Sequence, residues 1–203
     1  MTNVDCSIKA SSICLLSCYF GQWPSFMPLF LESCRRNPTI DFLFFGDGGP
    51  VPHVPANVTI VPLTFDEMLN RLNERLNLTV DVKDPYKLCD FKPAYGHVFE
   101  EYLQGYDFWG YTDFDLVYGS IRSFFTDELL KRSDVVSCRP AWITGGCFLF
   151  RNTERLNTLF RLSNDHVRAF TSEERLTFSN TVMRESNWRK VFPFSMLIRR
   201  VKV

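Results

Sequence analysis

Asp113 and Asp115 stand one residue apart, directly after the apolar, aromatic run Tyr106-Asp-Phe-Trp-Gly-Tyr111. In an extended chain side chains alternate, so both carboxylates point to one side. Two such groups repel each other and are comfortable only with a cation or hydrogen-bond donors between them. A hard divalent ion with oxygen ligands is the natural partner. Mg²⁺ and Mn²⁺ are typically held by one or two carboxylates together with substrate phosphates. An ion so placed can clamp a diphosphate and stabilise charge on a departing nucleotide. An Asp-x-Asp triplet recurs by chance; its place after an apolar run gives it weight.

The elements that would position this pair are legible around it. Ile13 to Phe20 is a continuous apolar run stopped by Gly21, the pattern of a strand buried on both faces. Pro24 predicts the start of a helix through Cys34. Asp41 to Phe45 is a second strand, stopped by the turn residues Gly46-Asp47-Gly48-Gly49-Pro50. Val58 to Val61 is a third. Apolar residues at 65, 68, 69, 72 and 76 predict a helix over 65–76, with Thr64 as N-cap. Tyr86 to Leu103 reads as helix divided by Pro93, and Tyr106 to Tyr111 as a fourth strand. A helix or turn covers Ile121 to Lys131. Val135–Cys138 and Cys147–Phe150 are further strands, and Asn152 to Leu162 a helix. Strands alternating with helices predict one open, mostly parallel α/β sheet. Ligands bind such a sheet beyond the carboxyl ends of its strands, where Gly21, Asp47 and the Asp113–Asp115 pair fall. Residues 1–165 form the expected core; 166–203 are a short C-terminal segment with no assigned structure.

Composition narrows the function classes. Lys plus Arg and Asp plus Glu number 23 each, so no basic excess points to nucleic acid. The one basic cluster, Arg199, Arg200 and Lys202, reads as a solvated end, with peripheral membrane contact through 191–200 as the lesser alternative. Seven cysteines, an odd number without a C-x-x-C, and only three histidines argue against a zinc site and for reduced thiols in a cytoplasmic setting. The run 13–20 is too short to span a bilayer and lacks the flanks of a signal peptide. Two sequons, at Asn57 and Asn77, would matter only in a secreted protein.

Lys87-Leu-Cys-Asp-Phe-Lys-Pro-Ala-Tyr-Gly96, followed by Tyr106 to Asp115, resembles a family of bacterial GT-A glycosyltransferases associated with capsule or surface-polysaccharide synthesis. Trp142-Ile-Thr-Gly-Gly-Cys-Phe-Leu-Phe-Arg-Asn152 resembles the segment that such enzymes set against the donor sugar. The resemblance implies a GT-A, Rossmann-like single domain with a mostly parallel central sheet flanked by helices. It also implies transfer of a sugar from a UDP- or GDP-linked donor to a carbohydrate or glycolipid acceptor, with Mn²⁺ or Mg²⁺.

By position, Asp113 and Asp115 would be the catalytic, metal-holding carboxylates, Asp113 also meeting the ribose or sugar. Tyr19, Phe20 and Gly21 would line the nucleotide pocket. Asp47 would touch base or ribose, or be plain turn chemistry. Lys92 would meet phosphate or sugar hydroxyls, or cap a helix at the surface. Tyr95 would hydrogen-bond nearby, or pack in the core. Thr144, Gly145 and Gly146 would approach the sugar, glycine allowing close backbone contact, or form a turn. His53, His97 and His166 receive no role, and none of Asp165, Glu173 and Glu174 stands out as a base. About 50 residues follow Asn152, fewer than such transferases usually have, so a catalytically weak sugar-nucleotide binder is a second reading. A metal-dependent nucleotidyltransferase or phosphohydrolase is a third. It is disfavoured because Tyr19-Phe-Gly-Gln-Trp23 carries no lysine or arginine for a phosphate loop.

Overall fold

The computed structural model describes residues 10–137, 147–177 and 198–200. Seven strands form one sheet: β1 (Ile13–Tyr19), β2 (Asp41–Gly46), β3 (Val58–Pro62), β4 (Phe108–Thr112), β5 (Val135–Ser137), β6 (Cys147–Arg151) and β7 (Ile198–Arg200). Their order is β3-β2-β1-β4-β6-β5-β7. β1 pairs in parallel with both β2 and β4, and β2 with β3. β6 runs antiparallel between β4 and β5, and β7 pairs in parallel with β5. The sheet is thus mixed but mostly parallel, with β6 alone reversed among the described strands. The carboxyl ends of β1, β2, β3 and β4 therefore meet at one edge. The tail expected as a solvated end contributes Ile198–Arg200 to this sheet.

Strand periodicity divides the core into two layers. Cys14, Leu16, Leu43, Phe45, Trp109, Tyr111, Phe148 and Phe150 face one side. Ile13, Leu15, Phe42, Phe44, Phe108 and Leu149 face the other. β1, β2, β4 and β6 each supply both sets, which is why their sequences read as nearly unbroken apolar runs.

The first face is covered by α2 (Phe65–Leu76), a 3₁₀ stretch (Pro85–Ala94) running into α3 (Tyr95–Val98), α5 (Glu154–Asn157) and α6 (His166–Thr171). The second carries α1 (Met27–Arg35) and the stretch leading into α4 (Asp127–Lys131). Among the described residues, no helix is long and apolar enough to cross a membrane. Cys14, Cys18, Cys34 and Cys89 are free thiols.

Three expectations need adjusting. α1 begins at Met27, with Pro28 in its first turn, while the Pro24 carbonyl accepts from Met27 N–H at 2.9 Å in a preceding turn. The stretch after Pro85 is 3₁₀ rather than α: Pro93 has no N–H to give, and the buried residues, Lys87, Leu88 and Asp90–Ala94, run almost without a break, so no amphipathic period holds it. The helix expected over Asn152 to Leu162 is a single α turn followed by 3₁₀. The sequons are structural: Asn57 Nδ2 lies 2.9–3.0 Å from the carbonyls of Cys34, Asn37 and Ile40, and Asn77 ends α2 in the left-handed region.

Gly96 seats the 3₁₀ segment on the sheet. A Cβ there would lie 2.3 Å from the Trp109 indole, so only glycine lets α3 come this close to β4. Trp109 is itself fixed by donating Nε1–H to Asn157 Oδ1 at 2.6 Å. α2 begins with a capping box: Thr64 Oγ1 accepts from Glu67 N–H at 3.2 Å, and Glu67 Oε2 accepts from Thr64 N–H at 2.7 Å. Thr64→Ala is expected to cost about 1 kcal/mol, read as a lower midpoint in urea denaturation with an unchanged slope.

Candidate functional site

Three strand ends converge at the carboxyl edge of the sheet. β1 and β4 run side by side, Leu16 opposite Tyr111, and Ser17 Oγ donates to the Thr112 carbonyl at 2.9 Å, tying the end of β4 to β1. After Thr112 the chain turns at Phe114–Asp115 rather than continuing extended, so strand alternation is not what orients the two carboxylates. Phe114 instead sorts them. It is 6% exposed and lies 5.4 Å from Tyr19, 5.6 Å from Trp23, 5.1 Å from Phe30 and 4.9 Å from Phe44 between ring centres. With the middle residue anchored in the core, Asp113 stays half-buried and Asp115 exposed at the edge.

Lys92 lies beside this turn. It rises from the 3₁₀ segment with only 10% of its side chain exposed and forms an ion pair with Asp113. Its ammonium also sits 5.7 Å from the centre of the Tyr111 ring. Tyr95 is in the core, edge-on to Phe99 and donating to the Leu88 carbonyl at 3.4 Å, so it underlies the site rather than lining it. Burial raises the Cys18 thiol to about 12, with a Tyr95 hydrogen bond and the Lys92 charge pulling weakly the other way. Desolvation likewise raises Cys89 and holds Tyr95 far above the usual phenol range. Burial thus favours the protonated form of both thiols.

On the other flank Gly21, with φ 96°, donates its N–H to Asp47 Oδ1 at 2.6 Å, joining the loops after β1 and β2. Asp47 is exposed. Tyr19 stacks on Trp23 at 5.7 Å, and Trp23 packs over Gly46 and Gly48 while donating Nε1–H to the Gly49 carbonyl at 2.9 Å. Phe20 turns the other way, edge-on to Phe65 at 5.3 Å.

The edge thus gathers Tyr19, Gly21, Asp47, Lys92, Asp113 and Asp115; Phe20 is partly buried beside Phe65, and Tyr95 lies in the core. Thr144, Gly145 and Gly146 lie outside the described residues; Cys147, which follows them, pairs with Thr112. His97 is structural, with Nε2 2.9 Å from the Arg75 carbonyl. Sequence reasoning passed over Trp23 and Phe114. Their signal was an aromatic residue set among turn residues and carboxylates, where loop chemistry does not call for one.

Among the described residues, no group of three or more His, Cys, Asp or Glu gathers as a metal cage. Two carboxylates on one turn match instead the donor set that Mg²⁺ or Mn²⁺ uses when substrate phosphates and water complete the shell.

A second buried pair was also missed. Lys87 and Asp90, 2% and 0% exposed, lie 2.9 Å apart. Lys87 donates to the Glu174 carbonyl, and Asp90 Oδ2 accepts from Leu176 N–H at 2.8 Å. Together they pin the stretch after α6 against the segment that carries Lys92.

Comparison with known proteins was made against this geometry. The family model described as "Family of unknown function (DUF6625)" matches residues 15–193. The chain belongs to the DUF6625 family. The matched span takes in every strand from β2 to β6, the Asp113–Asp115 turn and Lys92, so the whole candidate site is family territory. No curated protein matches. Among solved structures, the glycosyltransferase GlyE of Streptococcus pneumoniae TIGR4 is similar at 9% identity and a TM-score of 0.45, over 87% of this chain and 44% of that one. Its apo form is similar at 10% identity and 0.43, over 93% and 45%. The chain spans less than half the length of either, and at this distance neither likeness assigns an activity.

Proposed function

We propose that this DUF6625 chain binds a nucleoside-diphosphate sugar with a divalent cation and transfers the sugar to an acceptor hydroxyl. The observation that carries the reading is the Asp113-Phe114-Asp115 turn: an aromatic anchor holds two carboxylates at the carboxyl edge of an α/β sheet, with Lys92 beside them. That edge is where open α/β sheets bind ligands.

Asp113 and Asp115 would hold Mn²⁺ or Mg²⁺, which when bound neutralises the diphosphate as it leaves. Lys92 is within the same cluster and suits a phosphate oxygen as a point charge. Tyr19 and Trp23 offer aromatic surface for a base. Asp47 uses one oxygen on Gly21, and the second keeps acceptor capacity for ribose hydroxyls. Thr144, Gly145 and Gly146 are assigned to the donor sugar from sequence alone. A carbohydrate or glycolipid acceptor and a cytoplasmic setting complete the reading.

Calorimetric titration of UDP- and GDP-linked sugars, with and without Mn²⁺, tests it. Mn²⁺ is expected to tighten donor binding, and Asp115→Ala to weaken the Mn²⁺-dependent binding by on the order of tenfold, or 1.4 kcal/mol, with circular dichroism unchanged. Equal Mn²⁺-dependent affinity in the variant would remove Asp115 from the site. Release of free nucleotide in the presence of acceptor separates turnover from binding alone.

A further inference from the structure

Arg175 is held out between two backbone ties. On one side the Glu174 carbonyl accepts from Lys87; on the other the Leu176 N–H donates to Asp90 Oδ2 at 2.8 Å. Both ties come from the buried ion pair in the 3₁₀ segment. Such a pair is weak evidence for stability, because taking two charges out of water offsets much of their attraction. It does fix the backbone before and after one exposed residue. The guanidinium carbon of that residue lies over Tyr86, 4.5 Å from the ring centre, and Tyr86 is itself 61% exposed. A ring beneath a guanidinium steadies the cation without taking up its N–H donors. Among the described residues, no carboxylate pairs with Arg175 and no acceptor takes its N–H groups, the neighbouring Glu173 and Glu174 included. Cys89 places it relative to the carboxyl edge. Burial is what raises that thiol, but the charges of Lys92, Asp113, Arg175 and Asp90 all reach it. Arg175 thus stands on the flank of the edge that carries Lys92 and the Asp113 turn.

We infer that Arg175 is an anion-binding residue, presented by the clamped 174–176 stretch to a phosphoryl group bound at the carboxyl edge. The inference rests on the sugar-nucleotide reading for the identity of the anion, but it draws on neither the two edge carboxylates nor a metal. A guanidinium offers a planar fork of N–H donors that matches two phosphate oxygens. With its backbone tied on both sides and an aromatic ring beneath it, the side chain is ordered before the ligand arrives. That removes much of the ordering cost that a long exposed side chain would otherwise incur on binding.

Calorimetry on the full chain at low ionic strength, where an exposed cation is least screened, tests this. Inorganic pyrophosphate is titrated with a chelator present, so that no divalent ion contributes, and UDP- and GDP-linked sugars are titrated with and without Mn²⁺. Arg175→Met removes the charge and keeps an unbranched stem. It is expected to weaken binding of pyrophosphate, and of whichever donor the parent binds, by about tenfold. Arg175→Lys should recover only part of that loss, since a point charge cannot form the fork. Both variants should keep the parent's denaturant midpoint, because the side chain is exposed. Parent-like affinity of Arg175→Met for every ligand that the parent binds overturns the inference and leaves the sugar-nucleotide reading standing. Pyrophosphate binding that depends on Arg175, with no binding of either donor, upholds the phosphoryl site and overturns the sugar-nucleotide reading. No binding of pyrophosphate or donor by the parent overturns both.

Discussion

Asp90→Ala is expected to destabilise the fold by about 3–5 kcal/mol, the range for leaving one partner of a buried ion pair behind. Lys87 and Asp90 are almost wholly excluded from solvent and lie 2.9 Å apart. Removing the carboxylate strands an ammonium whose other partner is the neutral carbonyl of Glu174. It also removes an acceptor from Leu176 N–H, which Asp90 Oδ2 holds at 2.8 Å. The pairing makes a second expectation checkable in the same experiment. Lys87→Met combined with Asp90→Leu removes both charges together and replaces them with apolar groups of similar bulk. The double variant should therefore lie closer to the parent than Asp90→Ala does, because no unpaired charge remains. Denaturant midpoints of the three proteins decide the matter. A double variant less stable than the single would mean that hydrogen bonds to the 174–176 backbone, not charge balance, are the main contribution. Asp90→Ala should also speed proteolysis near residue 175, since this pair holds both the Glu174 carbonyl and the Leu176 N–H.

The contrast between this pair and the Asp113–Asp115 turn shows what a lone sequence can reveal. β1, β2 and β4 were legible because a strand buried on both faces must be apolar throughout, and both layers of the core confirm the reason: Leu15 and Leu16 serve opposite faces. α2 was legible to the residue because its amphipathic spacing and its Thr64–Glu67 box are local signals. β7 and α6 were not assigned, since a short edge strand and a two-turn helix carry too few residues for a period to emerge. The 3₁₀ segment misled for a related reason: the nearly continuous buried run from Lys87 to Ala94 has no polar face on which helical spacing could show. Side-chain partnerships were less visible still. Lys87 meets Glu174 across 87 positions and Lys92 meets Asp113 across 21, so no window of sequence contains both partners. Sequence placed Asp113 and Asp115 on the metal and Lys92 on the donor; only the fold shows that Lys92 and Asp113 already hold each other.

Phe114→Ala is expected to cost about 3–5 kcal/mol of stability, as for other buried Phe→Ala changes, and to impair the site beyond that loss. The ring sits among Tyr19, Trp23, Phe30 and Phe44, with centre distances from 4.9 to 5.6 Å. A cavity there is lined by large rings that cannot collapse without moving β1, β2 and α1. Phe114 is also the only residue between the two carboxylates, so its rotamer and the turn it anchors fix where Asp113 and Asp115 stand. Phe114→Leu retains an apolar side chain in the same space and should lose less stability while keeping the turn. Mn²⁺ titration well below the unfolding transition separates the two effects. At a temperature where circular dichroism shows both variants folded, Phe114→Ala should bind Mn²⁺ several-fold more weakly than Phe114→Leu, a loss of roughly 1 kcal/mol. Equal Mn²⁺ affinity in the two, at full folded population, would show that the carboxylates find their places without the anchor, and the turn would then owe its shape to its backbone alone.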